Sequence, residues 1–177
     1  MNKVKLSVSN LIETYLLLSC SQKKDENDSN KLMIVTTTGM IEDAVKNIAG
    51  EHATVISLMG PGVDPHLYKA TQGDLDKLTQ ADVVFYNGLH LEGKMGEVLE
   101  KLGRTKPVVA VAGSIGEGRL RIVADGIHDP HIWFNVSLWK EAVSKAAATL
   151  AQTDSAHATA YTTNAARYLA QLDSLHQ

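Results

Sequence analysis

The chain has 177 residues, 44% of them hydrophobic and 21% charged, which is the composition of an ordinary globular protein and excludes a disordered, collagenous or coiled-coil chain. Lys and Arg number 17 against 20 Asp and Glu, a net charge of −3 with no basic cluster beyond Lys23-Lys24, so nucleic acid is not an expected partner. The single cysteine, Cys20, excludes an intrachain disulfide and a cysteine-based zinc knuckle.

In chain order, the first segment carries Lys3 and Lys5 ahead of a partly apolar run that ends Leu16-Leu17-Leu18-Ser19-Cys20. This resembles a lipoprotein signal with its Leu-x-small-Cys box. Residues 1–19 are expected to be the signal peptide, with Cys20 as the lipid attachment point of a protein anchored to a membrane rather than spanning it. Asn10, Glu13 and Thr14 interrupt the apolar run. Residues 20–31, in which SQKKDENDSNK follows the cysteine without one apolar side chain, read as a disordered tether.

From Leu32 onward short β-branched runs alternate with helical periodicity, which predicts βαβ units and a parallel sheet. Strands are expected over residues 32–37 (LMIVTT), 54–58 (TVISL), 82–86 (DVVFY) and 107–111 (PVVAV), and helices over 40–49, 74–81, 95–102 and 135–152. Gly50 stands where a helix C-cap belongs. From Asp154 a last stretch places Ala158, Tyr161, Ala165, Tyr168, Leu172 and Leu175 on one face of a long helix that runs to the C-terminus. The fold class is therefore α/β: a single lobe of about four parallel strands flanked by helices over residues 32–152, then a long helix over 153–177. The stripe near Leu172 and Leu175 is expected to lie uncovered and to favour self-association.

The chemistry concentrates in one repeated pentapeptide. Asp64-Pro65-His66-Leu67-Tyr68 and Asp129-Pro130-His131-Ile132-Trp133 share the pattern Asp-Pro-His-aliphatic-aromatic, which takes two of the 4 prolines and two of the 7 histidines. Proline fixes its own φ and drives the preceding residue toward extended backbone, so each imidazole is carried on a stiff loop. Asp64 and Asp129 are placed to accept hydrogen bonds behind the ligating rings, fixing a tautomer or the loop itself. Each motif follows a strand at its carboxyl end, where open α/β sheets bind ligands. His66 and His131 are thus the expected metal ligands, and two imidazoles are too few for a closed zinc site, which takes four. His90, in the loop after the third strand, is a weaker candidate, and His128 weaker still; His52 lies before a strand at the opposite sheet edge, and His157 and His176 are expected to be solvated on the last helix. No His-Glu-x-x-His, Gly-x-Ser-x-Gly or phosphate-loop pattern occurs.

The run over residues 60–93 (GPGVDPHLYKATQGDLDKLTQADVVFYNGLHLEG), together with residues 129–139 (DPHIWFNVSLW), resembles the zinc- and manganese-binding solute-receptor family of bacterial ABC transporters, in particular its treponemal-type metal-binding lipoproteins. The resemblance extends over nearly all of residues 32–177. It implies two α/β lobes joined by one long helix, with a metal ion held in the cleft by four residues. The first lobe's two histidines map onto His66 and His131; the second lobe, which supplies a His or Glu and then an Asp or Glu, has no counterpart before Gln177, so the chain is expected to be an amino-terminal lobe with the start of the inter-lobe helix. The cargo implied is Zn2+ or Mn2+, the partner an ABC permease in the membrane, and the location the cell envelope. Asn135 stands where related sequences often carry Asp.

Two alternatives to a non-enzymatic metal receptor stay open on the sequence. One is a metal-dependent hydrolase with a two- or three-histidine site, for which Glu92 is the only acid near the right sheet edge. The other is a truncated relic without function.

Overall fold

The computed structural model describes residues 31–175, so Cys20, the expected signal and tether up to residue 30, and His176 lie outside the described residues. The expected elements form in the expected order. Strands β1 (Leu32–Thr36), β2 (Ala53–Ser57), β3 (Val83–Tyr86) and β4 (Val108–Ala110) make one sheet of order β2-β1-β3-β4, with every pairing parallel. Helices α1 (Gly39–Ala49), α2 (Gln72–Gln80), α3 (Met95–Leu102), α4 (Val136–Thr153) and α5 (Ala158–Leu175) flank it.

Period-two alternation sends successive strand residues to opposite faces, and two separate cores result. Ile34, Val83 and Phe85 pack with Ile41, Val45 and Ile48 of α1, Val143 and Leu150 of α4 and Tyr161 of α5. Val35 and Val84 face the other way, onto Leu78 of α2 and Met95 and Leu99 of α3. Strands buried on both faces read as continuous apolar runs, which is why residues 32–35 and 83–85 carry no polar alternation.

Local chemistry fixes the helix ends. Gly50 takes φ 58° and returns its N–H to the Lys46 carbonyl, closing α1. Thr71 and Asp74 form a reciprocal capping box at α2, and Lys106 Nζ donates to the carbonyls of Leu78, Thr79 and Ala81 at the other end of that helix. Asn135 caps α4 by accepting from the N–H groups of Ser137 and Leu138.

The C-terminal helix differs from expectation in three respects. A 3-10 turn over Ser155–His157 precedes it, so the helix begins at Ala158 rather than at residue 153. His157 is half-buried rather than free in solvent: its ring stacks on His52 at 4.2 Å and its Nδ1 lies 2.7 Å from Asp154. Leu172 is 7% exposed, buried against the lobe, whereas Leu175 is 75% exposed. The helix is docked along most of its length, with Tyr168 donating to Asp43 of α1 (2.9 Å) and Lys140 of α4 paired with Asp173.

An antiparallel hairpin, β5 (Ile122–Ala124) with β6 (Ile127–His128), was not expected from the sequence. Its apolar residues Ile122, Val123 and Ile127 are exposed, so they produce no buried pattern to read. Immediately after it the Asp129 N–H donates to the Arg121 carbonyl (2.7 Å), and the hairpin thereby turns the long excursion after β4 back to the second Asp-Pro-His motif.

Candidate metal site

The two motifs follow β2 and, by way of the β5–β6 hairpin, β4, the opposite edge strands of the sheet, and their rings meet. His66 Nε2 and His131 Nε2 are 3.3 Å apart. Two nitrogens bound to one tetrahedral zinc, each about 2.0–2.1 Å from it, lie about 3.3–3.4 Å from each other. The ring pair therefore already has the spacing of one edge of a coordination tetrahedron.

The histidines are held by different means. Asp129 Oδ1 is 2.6 Å from His131 Nδ1 and also accepts from the His131 backbone N–H at 3.1 Å. Those two bonds, the ring bond first, hold the Asp129 carboxyl below its ordinary range, and an ionised Asp129 keeps the His131 proton on Nδ1 and the lone pair on Nε2. With that tautomer, the 3.3 Å contact is a hydrogen bond when His66 carries its proton on Nε2 and donates it to His131. Asp64 Oδ1 accepts only from the His66 backbone N–H, at 2.9 Å. Asp129 thus orients a ring and its loop, while Asp64 ties its loop alone.

The aromatics of the two motifs also divide. Trp133 meets the His131 ring edge-on at 5.2 Å, with ring planes at 73°. Tyr68 turns away and donates to Asp74 Oδ2 at 2.7 Å, fastening the first loop to the start of α2. Burial and the Asp74 bond push the Tyr68 hydroxyl up to about 12. Burial alone would raise the Asp74 carboxyl, but donors from Thr71, Tyr68 and Lys77 outweigh it and hold the group at about 2.

His90 and His128 are not brought to the histidine pair. They line a separate cleft of about 320 Å³ with Glu100 and Gly126. His52 lies at the far edge against His157. Among the described residues no group of three or more His, Cys, Asp or Glu converges to hold a metal ion.

Glu92 is 1% exposed. Its Oε1 accepts from Thr37 Oγ1 (2.8 Å) and the Asn87 N–H (2.7 Å), and its Oε2 from the Gly88 N–H (3.1 Å). Burial pushes its carboxyl up although all of these donors pull it down. Its oxygens are committed to protein donors that join the ends of β1 and β3. The sequence signal for this structural role is the acid set directly between Leu91 and Gly93.

Residues 34–177 match the family described as the periplasmic component A of the zinc-uptake complex, ZnuA, and the chain belongs to that family. It is 46% identical over 167 residues to the manganese-binding lipoprotein MntA of Bacillus subtilis, covering 93% of this chain and 55% of the relative. It is 45% identical over 152 residues to the zinc-binding protein TroA of Treponema pallidum, covering 86% and 49%. The solved periplasmic zinc-binding TroA structure superposes with a TM-score of 0.80 at 46% identity, over 82% of this chain and 52% of that one. The chain spans about half the length of the curated relatives it matches.

Proposed function

We propose that this chain is the metal-binding amino-terminal half of a solute receptor for a divalent transition metal, with His66 and His131 as two of the ligands and Asp64 and Asp129 supporting them from behind. The observation that carries the reading is the 3.3 Å spacing of two Nε2 atoms whose motifs follow opposite edge strands of the sheet. Family membership supports it, as do relatives named for manganese and zinc binding. The cargo is Zn2+ or Mn2+. The partner is an ABC permease that receives the ion, and the chain resides in the cell envelope, held by lipid on Cys20. Imidazoles alone favour Zn2+ over Mn2+ by the usual affinity order, so the cargo is set by whatever completes the coordination sphere.

The chain is a binding protein and not an enzyme. A hydrolase built on the same two histidines needs a general base, and the only acid the sequence offered for it, Glu92, is enclosed by three donors. The experiment is a calorimetric Zn2+ titration of the 177-residue chain beside its His66→Ala, His131→Ala, His90→Ala and His52→Ala variants, with hydrolysis of ester and phosphoester substrates followed in parallel. Stoichiometric binding without turnover, lost in the first two variants and kept in the last two, is expected. Loss in His90→Ala as severe as in His66→Ala would assign the wrong ligands, and no binding by the parent chain would favour the relic.

A further inference from the structure

The segment between β3 and α3, residues 87–93, supplies neither histidine of the pair yet touches both of their loops. On one side Asn87 Nδ2 donates to the carbonyl of Pro130 (2.9 Å), the residue directly before His131, and to the carbonyl of Gly88 (3.0 Å). Both neighbours of that nitrogen are carbonyl oxygens, so the amide has only one sensible orientation. On the other side Gly93 passes directly beneath the first loop: a Cβ there would lie 2.7 Å from the His66 carbonyl oxygen. Between these contacts the segment is fixed by the buried Glu92 and by Leu91, which is 0% exposed.

The backbone in between is unusual. Gly88 (φ 84°), Leu89 (φ 53°) and His90 (φ 63°) are consecutive residues in the left-handed region, and Gly93 joins them at φ 48°. Two non-glycine residues there persist only where the surroundings over-determine them. Geometry supplies a reason for a rigid piece at this place. The strands that precede the two motifs, β2 and β4, are three inter-strand spacings apart, about 14 Å at about 4.8 Å each, and the second motif returns by way of the β5–β6 hairpin, so the sheet itself does not fix the 3.3 Å between the Nε2 atoms. Prolines stiffen each loop internally but say nothing about one loop relative to the other. The segment that leaves β3, in mid-sheet, is in contact with both.

We infer that residues 87–93 are the spacer that sets the separation of the two imidazoles, with Asn87 positioning His131, Gly93 positioning His66, and Glu92 clamping the spacer across the ends of β1 and β3. This rests on the reading of His66 and His131 as metal ligands. It adds three residues that touch no ion and nevertheless govern affinity, because a bidentate pair tolerates errors of only about 0.5 Å in ligand placement.

The test uses the full 177-residue chain and its Asn87→Ala, Gly93→Ala and Glu92→Gln variants, with Val45→Ala, a cavity in the core far along α1, as the stability control. Zn2+ affinity is measured by chelator competition, melting temperature by circular dichroism, and the number of coordinating nitrogens from the superhyperfine pattern of bound Cu2+. Asn87→Ala and Gly93→Ala are each expected to lose at least about 10-fold in Zn2+ affinity, the effect usual for groups that orient ligands. The Cu2+ pattern should pass from two nitrogens to one. Val45→Ala, with an equal or greater loss of melting temperature, should bind as the parent does. Should Gly93→Ala not fold, Asn87→Ala, which adds no atoms, carries the test. Parent-like affinity and nitrogen count in Asn87→Ala overturn the inference, as does affinity loss in Val45→Ala that tracks melting temperature. If His66→Ala and His131→Ala lose Zn2+ while the spacer variants keep it, the spacer falls and the ligand reading stands; if the histidine variants keep Zn2+, both fall.

Discussion

The two aspartates of the repeated motif look equivalent in sequence, and the structure makes them unequal, so replacing each by asparagine should separate them. Asp129→Asn removes the charge that holds the His131 proton on Nδ1. An asparagine amide rotated toward the ring donates to Nδ1 and forces the proton onto Nε2, where the lone pair for the metal should be. The expected loss is about 10- to 100-fold in Zn2+ affinity, or about 1.4–2.8 kcal/mol. Asp64 accepts only the His66 backbone N–H, and the side-chain oxygen of asparagine makes the same bond. Asp64→Asn should therefore change affinity by less than about 3-fold, and Asp64→Ala, which forfeits a bond of about 1 kcal/mol, by about 5-fold. Chelator competition at fixed pH measures the affinities, and long-range proton–nitrogen correlation spectra read the His131 tautomer. Equal losses in the two asparagine variants, or an unchanged His131 tautomer in Asp129→Asn, would refute the assignment of distinct roles.

Acid should expose the Asp74 network. Its carboxyl sits at about 2 against an ordinary 3.8. A lowered folded-state value gives stability that is present above about pH 4 and lost as pH falls toward 2, and the shift corresponds to about 2 kcal/mol. Glu92, raised by burial, has the opposite sign, so the Asp74 contribution is read as the difference between parent and Asp74→Asn urea denaturation curves at pH 3 and pH 7. That difference should shrink at the lower pH, and a constant gap would contradict it. Lys106→Met keeps the aliphatic stem and removes the ammonium from three carbonyls at the end of α2; a loss of about 1–2 kcal/mol is expected, seen as a fall of about 4 °C in melting temperature, with Zn2+ affinity unchanged.

Much of this molecule is legible in its sequence because the relevant signals are local. A strand buried on both faces must be a short apolar run, and residues 32–35 and 83–85 are such runs. The Asp-Pro-His pentapeptide states its own rigidity, and its repetition picks out His66 and His131 from the other histidines. What could not be read depends on partners distant in sequence. His157 resembles a solvated helix residue until His52 is brought against it, and the burial of Leu172 requires knowing that α5 lies back along α1 and α4. The hairpin of β5 and β6 escapes for the converse reason, since its apolar residues face solvent. Asn87 looks like an ordinary turn residue and Glu92 like an acid available at the sheet edge, and only the folded contacts show that Glu92 joins the ends of β1 and β3 while Asn87 reaches the second histidine loop.

The cost of ordering the site falls on folding rather than on binding. Fixing the backbone of one residue takes about 1–2 kcal/mol, so three disordered residues in a single histidine loop would subtract about 3–6 kcal/mol from metal binding, or about 10²- to 10⁴-fold in affinity. Neither loop leaves that freedom open. Proline fixes one φ in each, an aspartate accepts the histidine N–H in each, and residues 87–93 bear on both from below. The side chains that achieve this draw on a core already present: Tyr68 and Asp74 belong to the packing of α2, and Glu92 is enclosed where β1 and β3 end. On the proposed reading of His66 and His131 as ligands, an arriving ion would displace a proton and solvent and would have little backbone to organise, and an exposed pair of imidazoles would serve as a prepared half of a coordination sphere.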